Sequence, residues 1–150
     1  PGVFTGYFKS QEENKETFTE DGFFKTGDKA RKDELGNITI TGRIKDIINR
    51  GGEKISALEI EHRLSAHPQI QETAVVGMPD QVLGERICAY VVLRPGAKAT
   101  FEEIITFLKA NGASVQQLPE RIEFIGSLPA TKVGKVDKKA LREDIKNRLK

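Results

Sequence analysis

Three places in this 150-residue sequence carry residue types that could do chemistry. Lys135 stands beside Gly134 in the run Pro129-Ala130-Thr131-Lys132-Val133-Gly134-Lys135-Val136. A lysine next to a glycine on a connecting loop can be delivered as a point charge to a phosphate or carboxylate. Solvation alone is the commonest fate of a surface lysine. The run is not a Walker phosphate loop, because Gly126 lies too far upstream and Val136 replaces the required hydroxyl. Asp28, after Thr26-Gly27, could accept hydrogen bonds from a ribose diol or serve as an ordinary turn aspartate.

The third place runs from Gly42 to Ser56, where Arg43, Lys45, Arg50 and Lys54 surround Gly51-Gly52, with Asp46 and Glu53 interspersed. Ile47, Ile48 and Ile55 flank the glycines, as in a β-hairpin with a glycine turn. The same residues could form a hinge followed by a loop whose backbone lies close to a ligand. His62 and His67 have no Cys or His partner at ligand spacing, so no metal site is expected. Cys88 alternates into an apolar run and reads as core rather than nucleophile.

The elements that must position these residues follow from caps and periodicity. Ser10 with Glu13 predicts a short capped helix over 11–18, and Gly22–Asp28 reads as a short strand ending in a turn. A hairpin follows, turning at Asp33–Asn37 with Ile38 and Ile40 on the return strand. Ser56 with Glu59 opens a helix whose inner face is Ala57, Ile60 and Leu64, and His67-Pro68 ends it. Strands are expected over 71–77 and 86–93, joined by a loop holding Met78-Pro79-Asp80 and Gly84-Glu85. The second is apolar on both faces, as an inner strand requires. Thr100 with Glu103 caps a helix through Leu108 that stops near Asn111-Gly112. A third strand covers 121–125, and Asp137 caps a last helix burying Leu141, Ile145 and Leu149. The expected class is α+β: a small domain with a short, about three-stranded sheet packed by helices, preceded by a β-hairpin. Residues 1–41 hold too little apolar material to close a core and are expected to belong to a larger neighbour.

Composition narrows the function classes. Twenty-four basic residues against 22 acidic give a net charge of +2, no basis for bulk attraction to nucleic acid or membrane. No apolar run reaches the length of a membrane span. One cysteine forbids an internal disulfide and fits a reducing, cytoplasmic compartment. A start at Pro1 rather than Met is expected of a piece of something longer.

In order, Gly6-Tyr7-Phe8, Asp21-Gly22-Phe23-Phe24-Lys25-Thr26-Gly27-Asp28, Gly42-Arg43-Ile44-Lys45-Asp46, Asn49-Arg50-Gly51-Gly52-Glu53-Lys54-Ile55, Glu59-Ile60-Glu61, Pro79-Asp80 with Gly84-Glu85, and Pro129 through Lys135 resemble the adenylate-forming enzymes. These include acyl- and aryl-coenzyme A synthetases, aryl-acid ligases such as 2,3-dihydroxybenzoate–AMP ligase, peptide-synthetase adenylation domains and luciferases. The resemblance implies a two-step acid–thiol ligase using ATP, Mg, a carboxylic acid, and coenzyme A or a carrier-protein phosphopantetheine. It implies that 1–44 end a large N-terminal domain and that 45–150 form a mobile C-terminal lid, inactive alone. Carried over, Asp28 and Arg43 contact the ribose, Lys45 is the hinge, and Lys135 is the adenylation lysine. Gly51 and Gly52, with Glu53 and Lys54, line the pantetheine channel. The chain departs from the family at Val115-Gln116-Gln117-Leu118-Pro119, where a Tyr-Lys pair is usual, so a basic contact to the thiol donor's phosphates is not expected there.

The alternative is a non-catalytic α+β binding module for nucleic acid or a protein partner. Sheet domains that bind single-stranded RNA display aromatic residues on their central strands. Here Tyr90 is the only aromatic in either central strand, and the charge is nearly balanced.

Overall fold

The computed structural model describes residues 4–150. Helix α1 (Gln11–Thr17) has no buried residue and leads to an antiparallel hairpin of β1 (Asp28–Lys32) and β2 (Ile38–Arg43). A short 3-10 turn at Ile44–Asp46 follows, then β3 (Ile47–Arg50) and β4 (Glu53–Ser56), joined at Gly51-Gly52. Next come α2 (Ala57–Ser65), β5 (Ile70–Asp80), β6 (Gly84–Leu93), α3 (Phe101–Ala110), β7 (Arg121–Phe124) and α4 (Lys138–Arg148). Among the described residues no helix is long and apolar enough to cross a membrane.

β6 is the central strand. β5 pairs with it antiparallel along nearly its whole length, β7 joins it in parallel from Cys88 to Val91, and β3 meets its start through Arg50 and Gly84. Successive side chains of a strand point to opposite faces. Ile87, Ala89 and Val91 therefore enter the core formed with α2 and α3 through Ile60, Leu64, Ile104 and Leu108. Cys88 and Tyr90 enter the other core, closed by Leu141 and Ile145 of α4. Each such buried Ile or Leu stabilises by roughly 1.5–3 kcal/mol, so cohesion is concentrated in residues 48–145. The β1–β2 hairpin has no such core: Leu35, Ile38 and Ile40 are all exposed. Upstream of it, Phe4, Phe18 and Phe24 meet edge-to-face at 5.2–5.6 Å, a cluster that periodicity gives no hint of.

The α+β class stands, with differences in detail. The sheet has five strands rather than about three, because the glycine hairpin β3–β4 joins it. No strand runs over 22–28: Gly22 and Gly27 hold φ of 85° and 74°, leaving one bridge, Phe18 to Phe24, and β1 begins at Asp28. Ser10 starts α1 without a side-chain cap. Ser56 accepts the Glu59 N–H, but the Glu59 carboxylate pairs with Arg63 instead of closing the box; the Thr100–Glu103 box is complete. β5 and β6 continue through Pro79 and Glu85, because Asp80 accepts the N–H groups of Val82 and Leu83 and closes a tight turn. Those two N–H groups, Leu83 foremost, hold the Asp80 carboxyl below the usual range. Leu149 lies beyond the end of α4 and is 44% exposed rather than buried.

The Tyr90 hydroxyl, within the α4 core, donates to Asp144 at 2.7 Å, and Arg148 pairs with the same oxygen. Both hold the Asp144 carboxyl below its ordinary value, Tyr90 more strongly. A depressed carboxylate stabilises the fold above its unfolded pKa of about 3.9, and that stability is lost as pH falls through the folded value. Tyr90→Phe should cost about 1–2 kcal/mol at pH 7 and flatten the loss of stability below about pH 4. Urea unfolding at pH 7 and pH 3 measures both effects; an unchanged acid slope would rule out the linkage.

Candidate functional site

Asp28 and Arg43 are register partners at the open end of the β1–β2 hairpin, with Nε of Arg43 3.1 Å from Oδ1 of Asp28. The Asp28 N–H donates to Thr26 Oγ1, which fixes the backbone there. The pair is solvent-accessible, where an ion pair contributes only about 0–1 kcal/mol. It is therefore easily opened or shared with a ligand, leaving Oδ2 and the terminal guanidinium nitrogens as contacts. The strand register brings together two residues fifteen positions apart that the resemblance placed on one ribose.

Lys45 lies in the 3-10 turn with its side chain exposed. Its backbone is not free. Nη2 of Arg142, on α4, donates to the Lys45 carbonyl at 3.2 Å and to Oδ1 of Asp46 at 2.6 Å. Lys138 bridges Glu61 at 2.7 Å and Asp46 at 3.9 Å, and Glu61 also accepts the Val75 N–H. This network joins the chain entry, α2, β5 and α4.

Gly51 and Gly52 form the turn of a true hairpin, with φ of 59° and 91°. Two consecutive positive φ values define the tight turn that matches strand twist, and glycine takes them without strain. The hairpin reading holds, and the tip of that hairpin is bare backbone. Its placement is fixed from below. The Gly51 N–H donates to Leu83, the Asn49 N–H to Glu85 at 2.7 Å, and Arg50 to Glu120 at 2.6 Å. Glu120 accepts the Ile87 N–H with its other oxygen. Glu53 and Lys54 follow the tip and are exposed. With Lys29 and Thr41 of the hairpin, and Gln116 and Gln117, they line a polar cleft of about 440 Å³. The two glutamines stand where the Tyr-Lys pair is missing, so Lys29 and Lys54 are the cations of this wall.

Lys135 sits at the end of a small closed loop. Ala130 bridges Val136, the Thr131 N–H donates to the Lys135 carbonyl at 2.7 Å, and the Lys135 N–H donates to Thr131 Oγ1. Asp137 then caps α4 through the Ala140 N–H. Backbone position is thus fixed while the ammonium is exposed and, among the described residues, without an ion pair. No hydrogen bond links Lys135 to Asp28, Arg43 or the glycine hairpin; its tie to Lys45 runs along α4 to Arg142.

Other side chains are structural. His67 is buried edge-on to Phe107, and its Nδ1 accepts the Gln69 N–H. Among the described residues no group of three His, Cys, Asp or Glu could hold a metal. Cys88 is fully buried, and burial above all pushes its thiol up to about 12, the reverse of an activated nucleophile. Tyr90 is 1% exposed and cannot stack on a base. Sequence reasoning missed the parts played by Asp46, Glu61, Glu85, Glu120 and Arg142. Asp46, Glu61 and Glu85 lay within quoted motifs, but only the fold shows what they hold.

Three comparisons bear on this arrangement. The family model described as AMP-binding enzyme C-terminal domain matches residues 59–135. The chain is 48% identical, over 99% of its length, to 2,3-dihydroxybenzoate-AMP ligase of Bacillus subtilis (strain 168), and 47% identical, also over 99%, to medium-chain fatty-acid–CoA ligase of Escherichia coli (strain K12). It covers 28% and 26% of those proteins, so it spans about a quarter of the curated relatives' length. Among solved structures, ATP-bound MatB from Rhodopseudomonas palustris matches 99% of this chain and 29% of that one, at 36% identity and a TM-score of 0.88. Apo MatB from the same organism, at 37% identity and equal coverage, gives 0.73.

A Cβ on Gly77 would lie 2.5 Å from Oε1 of Glu85, the residue that holds the Asn49 N–H. Gly77→Ala should displace Glu85, destabilise by about 1–3 kcal/mol and speed amide exchange at Asn49 and Gly51. Exchange at Val75 and Ala89, in the sheet interior, should change far less. Uniform acceleration throughout would mean that the clamp has no local role.

Proposed function

The chain belongs to the AMP-binding enzyme C-terminal domain family, and from that premise we propose that it is the C-terminal part of an ATP-dependent acid–thiol ligase. The observation that carries the reading is whole-chain similarity to proteins named as an acid–AMP ligase and an acid–CoA ligase. Residues 1–44 end a large N-terminal domain that holds the acid, and 45–150 are a lid. The substrates are a carboxylic acid, ATP, and coenzyme A or a carrier-bound pantetheine. Magnesium would arrive with the nucleotide, since the described residues offer it no cluster. A reducing, cytoplasmic setting suits the buried free thiol of Cys88.

In the first half-reaction the acid's carboxylate oxygen attacks the α-phosphorus of ATP and pyrophosphate leaves. Two anions approach, and the Lys135 ammonium lowers that repulsion where charge redistributes. Its loop supports the role: the backbone is pinned and the side chain unengaged. Asp28 accepts the ribose hydroxyls while Arg43, already beside it, orients the carboxylate and meets the sugar. In the second half-reaction the thiol sulfur attacks the acyl carbon and AMP leaves. A slender thiol arm needs a channel without side chains, which the exposed tip at Gly51-Gly52 supplies, with Glu53 and Lys54 at its mouth.

One lid cannot present Lys135 and the glycine tip to one centre in a single pose, so it turns about Lys45. The two MatB structures support a moving junction in this family: one protein, at equal coverage, matches this chain well with ATP and less well without it. This chain's structure is the more similar to the ATP-bound one, with a TM-score of 0.88 against 0.73.

Lys135→Ala in the full-length protein should lower acid-dependent ATP–pyrophosphate exchange by about 10²–10³-fold and leave thioester formation from supplied acyl-adenylate near normal. Equal loss of both half-reactions would remove Lys135 from the role. Lys45→Pro should slow the complete reaction more than either isolated half, because proline fixes φ at the hinge; unimpaired alternation would refute that placement. The 150 residues alone should show no exchange.

A further inference from the structure

The junction between hairpin and lid is gripped from both sides, and the grips define how much of it can turn. Upstream, the Ile44 N–H donates to the Gly27 carbonyl at 2.9 Å, binding the chain to the β1–β2 hairpin just past the Asp28–Arg43 pair. Downstream, Nη2 of Arg142 holds both the Lys45 carbonyl and the Asp46 carboxylate. Asp46 is 13% exposed and is further held by Lys138, itself on Glu61. Between these grips lie only the φ and ψ angles of Ile44 and Lys45, since peptide units are rigid planes. One hydrogen bond closes this span: the Ile47 N–H to the Ile44 carbonyl, the bond of the 3-10 turn. Its donor lies downstream of Lys45 and its acceptor upstream, so rotation about Lys45 breaks it.

We propose that Arg142 is a positioning residue for the lid movement: by fixing the Lys45–Asp46 peptide to α4, it confines rotation to Ile44 and Lys45. The inference rests on the hinge reading of Lys45 but assigns a role that reading lacks. Arg142 and Lys135 flank the start of α4, so the helix that carries the adenylation loop is also the arm on which the pivot is mounted. A turn at Lys45 is therefore transmitted to Lys135 without slack from Asp46. If Arg142 lets go, Asp46 adds its own two torsions, and the lid wanders instead of stopping.

The test uses the 150-residue chain and needs no activity. Spin labels on Leu35→Cys at the hairpin tip and Lys109→Cys on α3, both exposed positions, report the hairpin–lid distance; Cys88 is buried and stays unlabelled. A second pair, Lys109→Cys with Lys146→Cys on α4, reports the lid's interior. The expected result is discrete hairpin–lid distances in the parent. In Arg142→Ala that discreteness is lost to a continuous band, while the lid-internal distance keeps its width. Discrete hairpin–lid distances retained in Arg142→Ala overturn the proposal. So does equal broadening of both pairs, which means loosened packing of α4 rather than a freed pivot. The ligase reading stands or falls separately, on pyrophosphate exchange by the full-length protein.

Discussion

Burial of β6 on both faces is the constraint from which the rest of the molecule follows. A strand apolar on alternate and intervening positions must be covered twice, and α2 with α3 on one side and α4 on the other do so. That places α4 against the sheet opposite α2, and its first turn then reaches back to the residues where the chain enters the lid. The same strand begins at Gly84, where β3 is paired and the glycine tip is seated. The Lys135 loop and the Gly51-Gly52 hairpin, to which the two half-reactions are proposed to belong, thus hang from one body on different elements. The geometry suits a body that offers one or the other by turning as a whole.

Carboxylates set the positions within that body. Glu61, Glu85 and Glu120 each accept a backbone N–H, and Glu61 and Glu120 also hold a cation, so each fixes an element that its own strand or helix does not contain. Partly buried ion pairs add little net stability, because desolvation offsets attraction, but losing one partner is costly. Their value lies in register rather than in cohesion. Among the described residues every ion pair except those of Lys138 uses arginine, as expected where a planar fork must meet fixed acceptors. An unpaired lysine is therefore ordinary in this protein, and the freedom of Lys135 alone says nothing. What distinguishes it is a pinned backbone at the root of the helix whose Arg142 holds Lys45.

Local signals were legible in the sequence. Ser56, Thr100 and Asp137 start their helices because an N-cap contact spans three residues, and the two-sided pattern of β6 needs no partner to be seen. What could not be read were contacts between residues far apart in the chain: Glu85 on Asn49, Glu120 on Arg50, Arg142 on Lys45. Lys45 as a hinge came from resemblance; its grip by Arg142 lies 97 positions away and leaves no local trace. Strand 22–28 failed for a local reason: two left-handed glycines outweigh the β propensity of Phe23 and Phe24. Leu149 failed because periodicity does not register where a helix stops.

The place of the proposed boundary at 44–45 follows from where cohesion is weakest. The lid is held by twenty buried hydrophobic residues, all between Ile48 and Ile145. The β1–β2 hairpin adds none, and it touches the lid through polar contacts: the Ser56 hydroxyl donates to the Thr41 carbonyl at 2.6 Å, and Gly42 lets that hydroxyl approach. A Cβ on Gly42 would meet Ser56 Oγ at 2.7 Å, so this glycine is what permits the hairpin to lie so close. A hydrogen bond exchanged with water contributes about 0.5–1.5 kcal/mol, whereas emptying one buried leucine site costs about 2–5 kcal/mol. A few such bonds can be traded on the microsecond-to-millisecond scale of domain motion without disturbing the core. The turn proposed between residues 43 and 46 thus falls where such bonds, and no buried core, join hairpin to lid, and Arg142 bounds it.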